Sequence, residues 1–97
     1  MNILVREAAY ADLEGIHAYI AQESPASANP VIQHILDGIE RLGIFPSLGR
    51  RGILEGTREW VVRGLPYIIV YRIDKALAEV TVIGVFHGAQ DVAAQRR

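Results

Sequence analysis

Tyr67-Ile68-Ile69-Val70-Tyr71-Arg72-Ile73 and Glu79-Val80-Thr81-Val82-Ile83-Gly84-Val85-Phe86-His87 flank the polar turn Asp74–Leu77. Both runs are rich in β-branched and aromatic residues, which fit a pleated, half-buried surface, so both read as strands. In the first, Tyr67, Ile69 and Tyr71 share one face, and Ile68, Val70 and Arg72 share the other. The second is apolar on both faces, with Val80 and Val82 against Ile83 and Val85. A strand buried on both faces belongs inside a sheet.

Upstream, Gly64-Leu65-Pro66 reads as a turn, and Thr57–Arg63 as a third strand with Trp60 and Val62 on one side and Glu59 and Arg63 on the other. Phe45–Gly56 is turn-rich through Pro46, Gly49, Gly52 and Gly56, and it carries Arg50 and Arg51. Before it lie two helical patterns. Ala9, Leu13, Ile16 and Ile20 draw one apolar stripe over Glu7–Gln22, with Asp12, Glu14 and His17 off it. Ala28, Ile32, Ile35, Ile39 and Leu42 draw a second, with Gly43 as its stop. Ser24-Pro25 and Asn29-Pro30 both have the form of a helix start. The second helix therefore begins at Asn29, or begins at Ser24 and bends near Pro30. Asn2–Arg6 is a short strand with Ile3 and Val5 on one face. The order β-α-α-β-β-β predicts an α+β fold: an N-terminal strand and an antiparallel helical hairpin packed on one face of a small antiparallel sheet.

Ninety-seven residues, 51% hydrophobic and 22% charged, make one folded domain spanning 1–97. The longest apolar runs are of strand length, too short to cross a bilayer. The polar turn after Arg6 argues against a secretory leader. With no cysteine there is no disulfide framework, thiolate metal site or cysteine nucleophile. A cytoplasmic protein with no membrane association is expected. The net charge is −1, but residues 1–45 carry two basic and six acidic groups, whereas residues 46–97 carry eight and five. A chain that coats nucleic acid carries a large positive excess. A protein partner, or a basic patch on the C-terminal half, is the better expectation.

No dinucleotide or phosphate loop is present, and His17, His34 and His87 have no metal-like spacing, so no cofactor and no metal are expected. His17 and His34 read as ordinary surface groups. Arg58, Arg63, Arg72 and His87 are the cationic groups that a site could gather, with Tyr67 or Tyr71. Alternation along the strand puts Arg72 on the face opposite both tyrosines.

Three stretches taken in order resemble the RelE/ParE superfamily of toxins from bacterial type II toxin–antitoxin systems, the ParE branch most closely. They are Ala11–Ala21; Phe45-Pro46-Ser47-Leu48-Gly49-Arg50 with Gly56–Val62 and Gly64–Arg72; and Val82–Asp91. The resemblance implies the fold just described. One branch of the superfamily cuts messenger RNA in the ribosomal A site; the other poisons DNA gyrase. Nucleases of the family carry an Arg near the start of the central strand, where Ile68 aligns, and often a Tyr after the strand-end His, where Gly88 stands. Neither Ile nor Gly moves a proton or neutralises a phosphate. These departures imply a growth-inhibiting protein that acts on gyrase without catalytic residues. The alternatives are a ribosome-dependent endoribonuclease, with Arg58, Arg72 and His87 as its catalytic set, and a non-toxic antitoxin-binding homologue.

Target contacts are expected at Arg50, Arg51, Arg58, Arg63, His87, Asp91, Arg96 and Arg97. The tail departs from the family pattern, with Gln90 before Asp91 and Val92 after it. The resemblance also implies a cognate antitoxin whose disordered segment folds along the toxin, and contact with operator DNA only through that antitoxin. Coupled folding of this kind needs an exposed apolar groove. Trp60, Leu65 and Tyr67, at the rim between hairpin and sheet, are the expected antitoxin contacts.

Overall fold

A computed structural model describes residues 1–88. Its elements are β1 (Asn2–Val5), α1 (Glu7–Glu23), α2 (Pro25–Ile44), a 3₁₀ turn (Pro46–Leu48), β2 (Arg50–Arg51), β3 (Arg58–Val61), β4 (Tyr67–Asp74) and β5 (Glu79–His87). They form one five-stranded sheet in the order β1-β5-β4-β3-β2, so β5 is interior as its two apolar faces require. The two helices lie against each other and against the sheet. No helix among the described residues is long and apolar enough to cross a membrane.

The helical hairpin and the antiparallel β3-β4-β5 meander match the sequence expectation. The sheet as a whole is mixed rather than antiparallel, because β1 runs parallel to β5, with Asn2 opposite Glu79 and Val5 opposite Val82. Tight turns write antiparallel pairing locally. No turn joins β1 to β5, so its direction is set by tertiary packing. Arg50–Arg51, expected within a turn-rich stretch, forms a short edge strand against β3. The second helix begins at Pro25 and runs through Pro30 to Ile44.

The main core lies between hairpin and sheet: Ala9 and Leu13 from α1, Ile35, Ile39 and Leu42 from α2, and Tyr67, Ile69, Tyr71, Val80, Val82 and Val85 from the sheet. Each large apolar side chain buried there stabilises the fold by about 1.5–3 kcal/mol. The opposite face carries a second cluster of Val70, Ile83 and Phe86, with Ile68 and Leu54 packed on it. Simple alternation placed Val85 with Ile83; the structure places it with Val80 and Val82. A bulge is the reason. Val70 faces Gly84 while Tyr71 faces Val82, so Ile83 is the extra residue and every later side chain changes face.

β1 ends opposite Val82, which leaves the next stretch of β5 without a strand on that side. Asp12 of α1 takes over: its Oδ2 accepts the Val85 N–H at 3.0 Å. Gly84 leaves the room this needs, since a Cβ there would lie 2.6 Å from the Phe86 ring and 3.1 Å from Asp12 Oδ2. On β4, the buried Tyr71 hydroxyl accepts the Gly49 N–H at 2.8 Å and donates to the Pro46 carbonyl at 2.6 Å. It thereby fixes the chain between α2 and β2. Burial raises the Tyr71 pKa above 10.0, partly offset by the Gly49 bond and the nearby Arg58 charge.

Replacing Asp12 by Ala should cost about 1–3 kcal/mol in denaturant unfolding, because a buried amide loses its acceptor. Asp12→Asn, which keeps an acceptor oxygen, should recover part of that loss. Because the folded state holds Tyr71 neutral above the usual tyrosine pKa, its contribution is complete below pH 10 and is lost as pH rises through the folded value. Melting curves should therefore show an alkaline limb above about pH 10. Tyr71→Phe should flatten that limb while lowering stability at neutral pH.

Candidate functional site

The expected cationic groups fall at two ends of β4. At one end, Arg58 and Tyr71 are register partners and share the helix-side face. Arg58 Nη1 donates to the Gly49 carbonyl. On the opposite face Arg72 Nη1 donates to the Glu55 carbonyl at 3.1 Å. Between them Glu59 is buried at 4% exposure. Its Oε2 accepts the Ile53 N–H at 2.8 Å, and its Oε1 lies 3.7 Å from Arg50 Nη2. Arg58, Glu59, Tyr71 and Arg72 thus tie the loop of residues 49–56 to the sheet. Three of these are charged groups bonded to backbone, an arrangement that fixes a loop.

At the other end His87 pairs in register with Tyr67, their rings edge to face with centroids 5.8 Å apart. Burial raises the Tyr67 pKa, with a further push from Tyr19. An open groove of about 720 Å³ runs here between Asp12, Ile16 and Tyr19 of α1 and Pro66, Tyr67 and His87 at the strand ends. Arg72 lies five steps along the strand from Tyr67, roughly 17 Å at the usual rise. Arg58, Arg72 and His87 therefore do not meet at one point: the two arginines, on β3 and β4, lie on opposite faces of the sheet, and His87 stands at the far end. Arg63 is exposed, and its carbonyl accepts His34 Nε2 at 2.8 Å. The remaining surface histidine, His17, bonds Asn29 Oδ1 at 2.8 Å. Asp91, Arg96 and Arg97 lie outside the described residues.

The three expected antitoxin contacts are also divided. Tyr67 is buried and lines the α1 groove; Leu65 packs on the main core. Trp60 is half-buried, its ring resting on Gly38 of α2. Its free side lines a second groove of about 460 Å³ with Phe45 and Leu48, flanked by Arg41 and Arg63. Phe45 and Leu48 there are 56% and 44% exposed, and the neighbouring Ile44 is 71% exposed.

Sequence reading missed Asp12 and Glu59 as organising carboxylates. Both lie off an apolar stripe, and their partners come together only on folding. It also missed the exposed Ile44, Phe45 and Leu48, whose only signal was apolar residues in a turn-rich segment.

Comparison with known proteins agrees with this architecture. Residues 3–92 match the ParE toxin of the type II toxin–antitoxin system, parDE. A Sinorhizobium fredii protein named "Putative toxin Y4kP" is 37% identical over 78 residues, which are 80% of this chain and 78% of that protein. Two solved structures share the fold. A chain of the chromosomal ParDE TA system from P. aeruginosa superposes with TM-score 0.81 at 20% identity, covering 90% of this chain and 95% of that one. The isolated E. coli RelE toxin gives TM-score 0.64 at 12% identity, covering 97% and 90%. Fold, strand order and a family match across nearly the whole length agree: the chain belongs to the ParE toxin family of type II toxin–antitoxin systems.

Proposed function

We propose that this toxin inhibits DNA gyrase by binding, with no bond-breaking step of its own. The observation that carries the reading is the separation of Arg58, Arg72 and His87. Cleaving RNA through its 2′-hydroxyl needs a base, an acid and a cation within hydrogen-bond reach of one phosphate, about 2.6–3.2 Å each. Here both guanidinium groups hold backbone carbonyls, and the imidazole stands roughly 13–17 Å away along the strand. On the sheet face away from the helices Val70, Ile83 and Phe86 are buried with Ile68 packed on them, Val61 is 52% exposed, and the buried charge among the described residues there is the anionic Glu59.

The toxin works in the cytoplasm and reaches operator DNA only through its antitoxin. Restraint by the antitoxin follows from the second groove. A folding segment needs apolar anchors with a polar rim, and Phe45, Leu48 and Trp60 between Arg41 and Arg63 supply both.

Purified toxin should block supercoiling by gyrase and accumulate cleaved DNA, and added antitoxin should reverse both; undiminished supercoiling at saturating toxin would reject the reading. Phe45→Asp and Leu48→Asp place charge at exposed positions, so they should leave the melting temperature nearly unchanged. Each should weaken antitoxin binding by about 2 kcal/mol, read by calorimetry.

A further inference from the structure

β2 sets Arg51 directly opposite Arg58. Like charges facing each other across strands destabilise a sheet, so this pairing works against the fold. Arg50, one residue earlier, has the buried Glu59 for company; Arg51 meets no carboxylate among the described residues. Both facing arginines line one open cavity of about 600 Å³, and Lys75, from the β4–β5 turn, lines it as well. Lys75 is the one lysine of the chain. Glu55 is the sole carboxylate in the lining, so the cavity carries a net excess of two positive charges. The wall also includes the turn of Leu54, Glu55 and Gly56, whose amide N–H groups donate to no protein acceptor among the described residues, and the side of Ile73. No helix residue lines the cavity, and it lies apart from both grooves described above.

We propose that Arg51, Arg58 and Lys75 form a phosphate-binding site. The chemistry fits. Two guanidinium groups offer forked N–H donors, an ammonium adds a point charge, and exposed amides add neutral donors, the set that phosphate oxygens accept. Bound phosphate removes the Arg51–Arg58 repulsion, so ligand and fold stabilise each other. Arg58 keeps its Nη1 on Gly49, which holds one side of the site in place without a ligand. The site's excess of charge sits within a chain of net charge −1, so it acts locally and not as a coat for nucleic acid. The phosphate could belong to a DNA backbone or to a free phosphate compound. The site does not depend on the identity of the toxin's target.

Reductive ¹³C-methylation of the full chain keeps the Lys75 charge and gives that side chain its own NMR signal. At constant ionic strength the protein is titrated with inorganic phosphate and, separately, with a short DNA duplex. The Lys75 methyl signal and the amides of residues 51–58 should shift saturably with at least one of them. Response to duplex alone assigns a backbone phosphate; response to phosphate alone assigns a small phosphate compound. Arg51→Gln should weaken the response about tenfold. The same change should raise the melting temperature of the ligand-free chain while abolishing the extra stability that phosphate gives over chloride. A residue with only a structural role would not combine those two effects. Equal shifts with chloride, no saturation with either ligand, or a lower ligand-free melting temperature for Arg51→Gln would overturn the site. So would a response to an acidic peptide alone.

Discussion

The join between α1 and the inner strand β5 is the constraint on which this fold depends. β1 covers only the first half of β5, and Asp12 supplies the next acceptor, bonding Val85 across 73 positions of sequence. That bond sets the height of the hairpin on the sheet. It also sits beside the bulge that turns Val85 toward the helices, so that Val80, Val82 and Val85 fill one core while Ile83 and Phe86 fill the other. One carboxylate thus couples helix placement to strand register. It also closes off a strand edge that would otherwise be open to pairing with another chain.

Arg58, Glu59 and Arg72 serve as fasteners. Arg58 and Tyr71 hold the segment after α2 from the helix side, Arg72 holds the Glu55 carbonyl from the other, and Glu59 holds Ile53 from within. Groups so engaged are held in fixed positions for as long as the loop stays closed. What the molecule presents to partners is therefore mostly shape and apolar surface. Ile44, Phe45, Leu48 and Trp60 stand at one edge, and a groove bordered by Tyr19, Tyr67 and His87 lies at another. Both lie where the helical hairpin meets the sheet, the rim at which sequence reading looked for the antitoxin.

Much of this was legible in the chain itself. The helix stripes, the β3-β4-β5 meander and the interior position of β5 follow from spacing and residue type, and the family from the order of its motifs. The rest depends on contacts that spacing does not encode. Period-two alternation cannot register an inserted residue, so it assigned Val85 to the wrong face. The parallel pairing of β1 joins strands separated by most of the chain. Glu59 is buried because the loop before it folds back over the sheet; in the sequence it is one polar residue on an alternating strand. Tyr71 and Arg58, read as possible members of a reactive site, bond instead to Pro46 and Gly49, whose positions no local pattern reveals.

The gyrase proposal rests on a sheet that does not gather Arg58, Arg72 and His87 as phosphodiester cleavage demands. Mapping the 5′ ends of a message during cell-free translation, with toxin freed from its antitoxin, tests it most directly. Transcript ends should be indistinguishable from those without toxin. New ends at codon boundaries, abolished by His87→Ala, would contradict it.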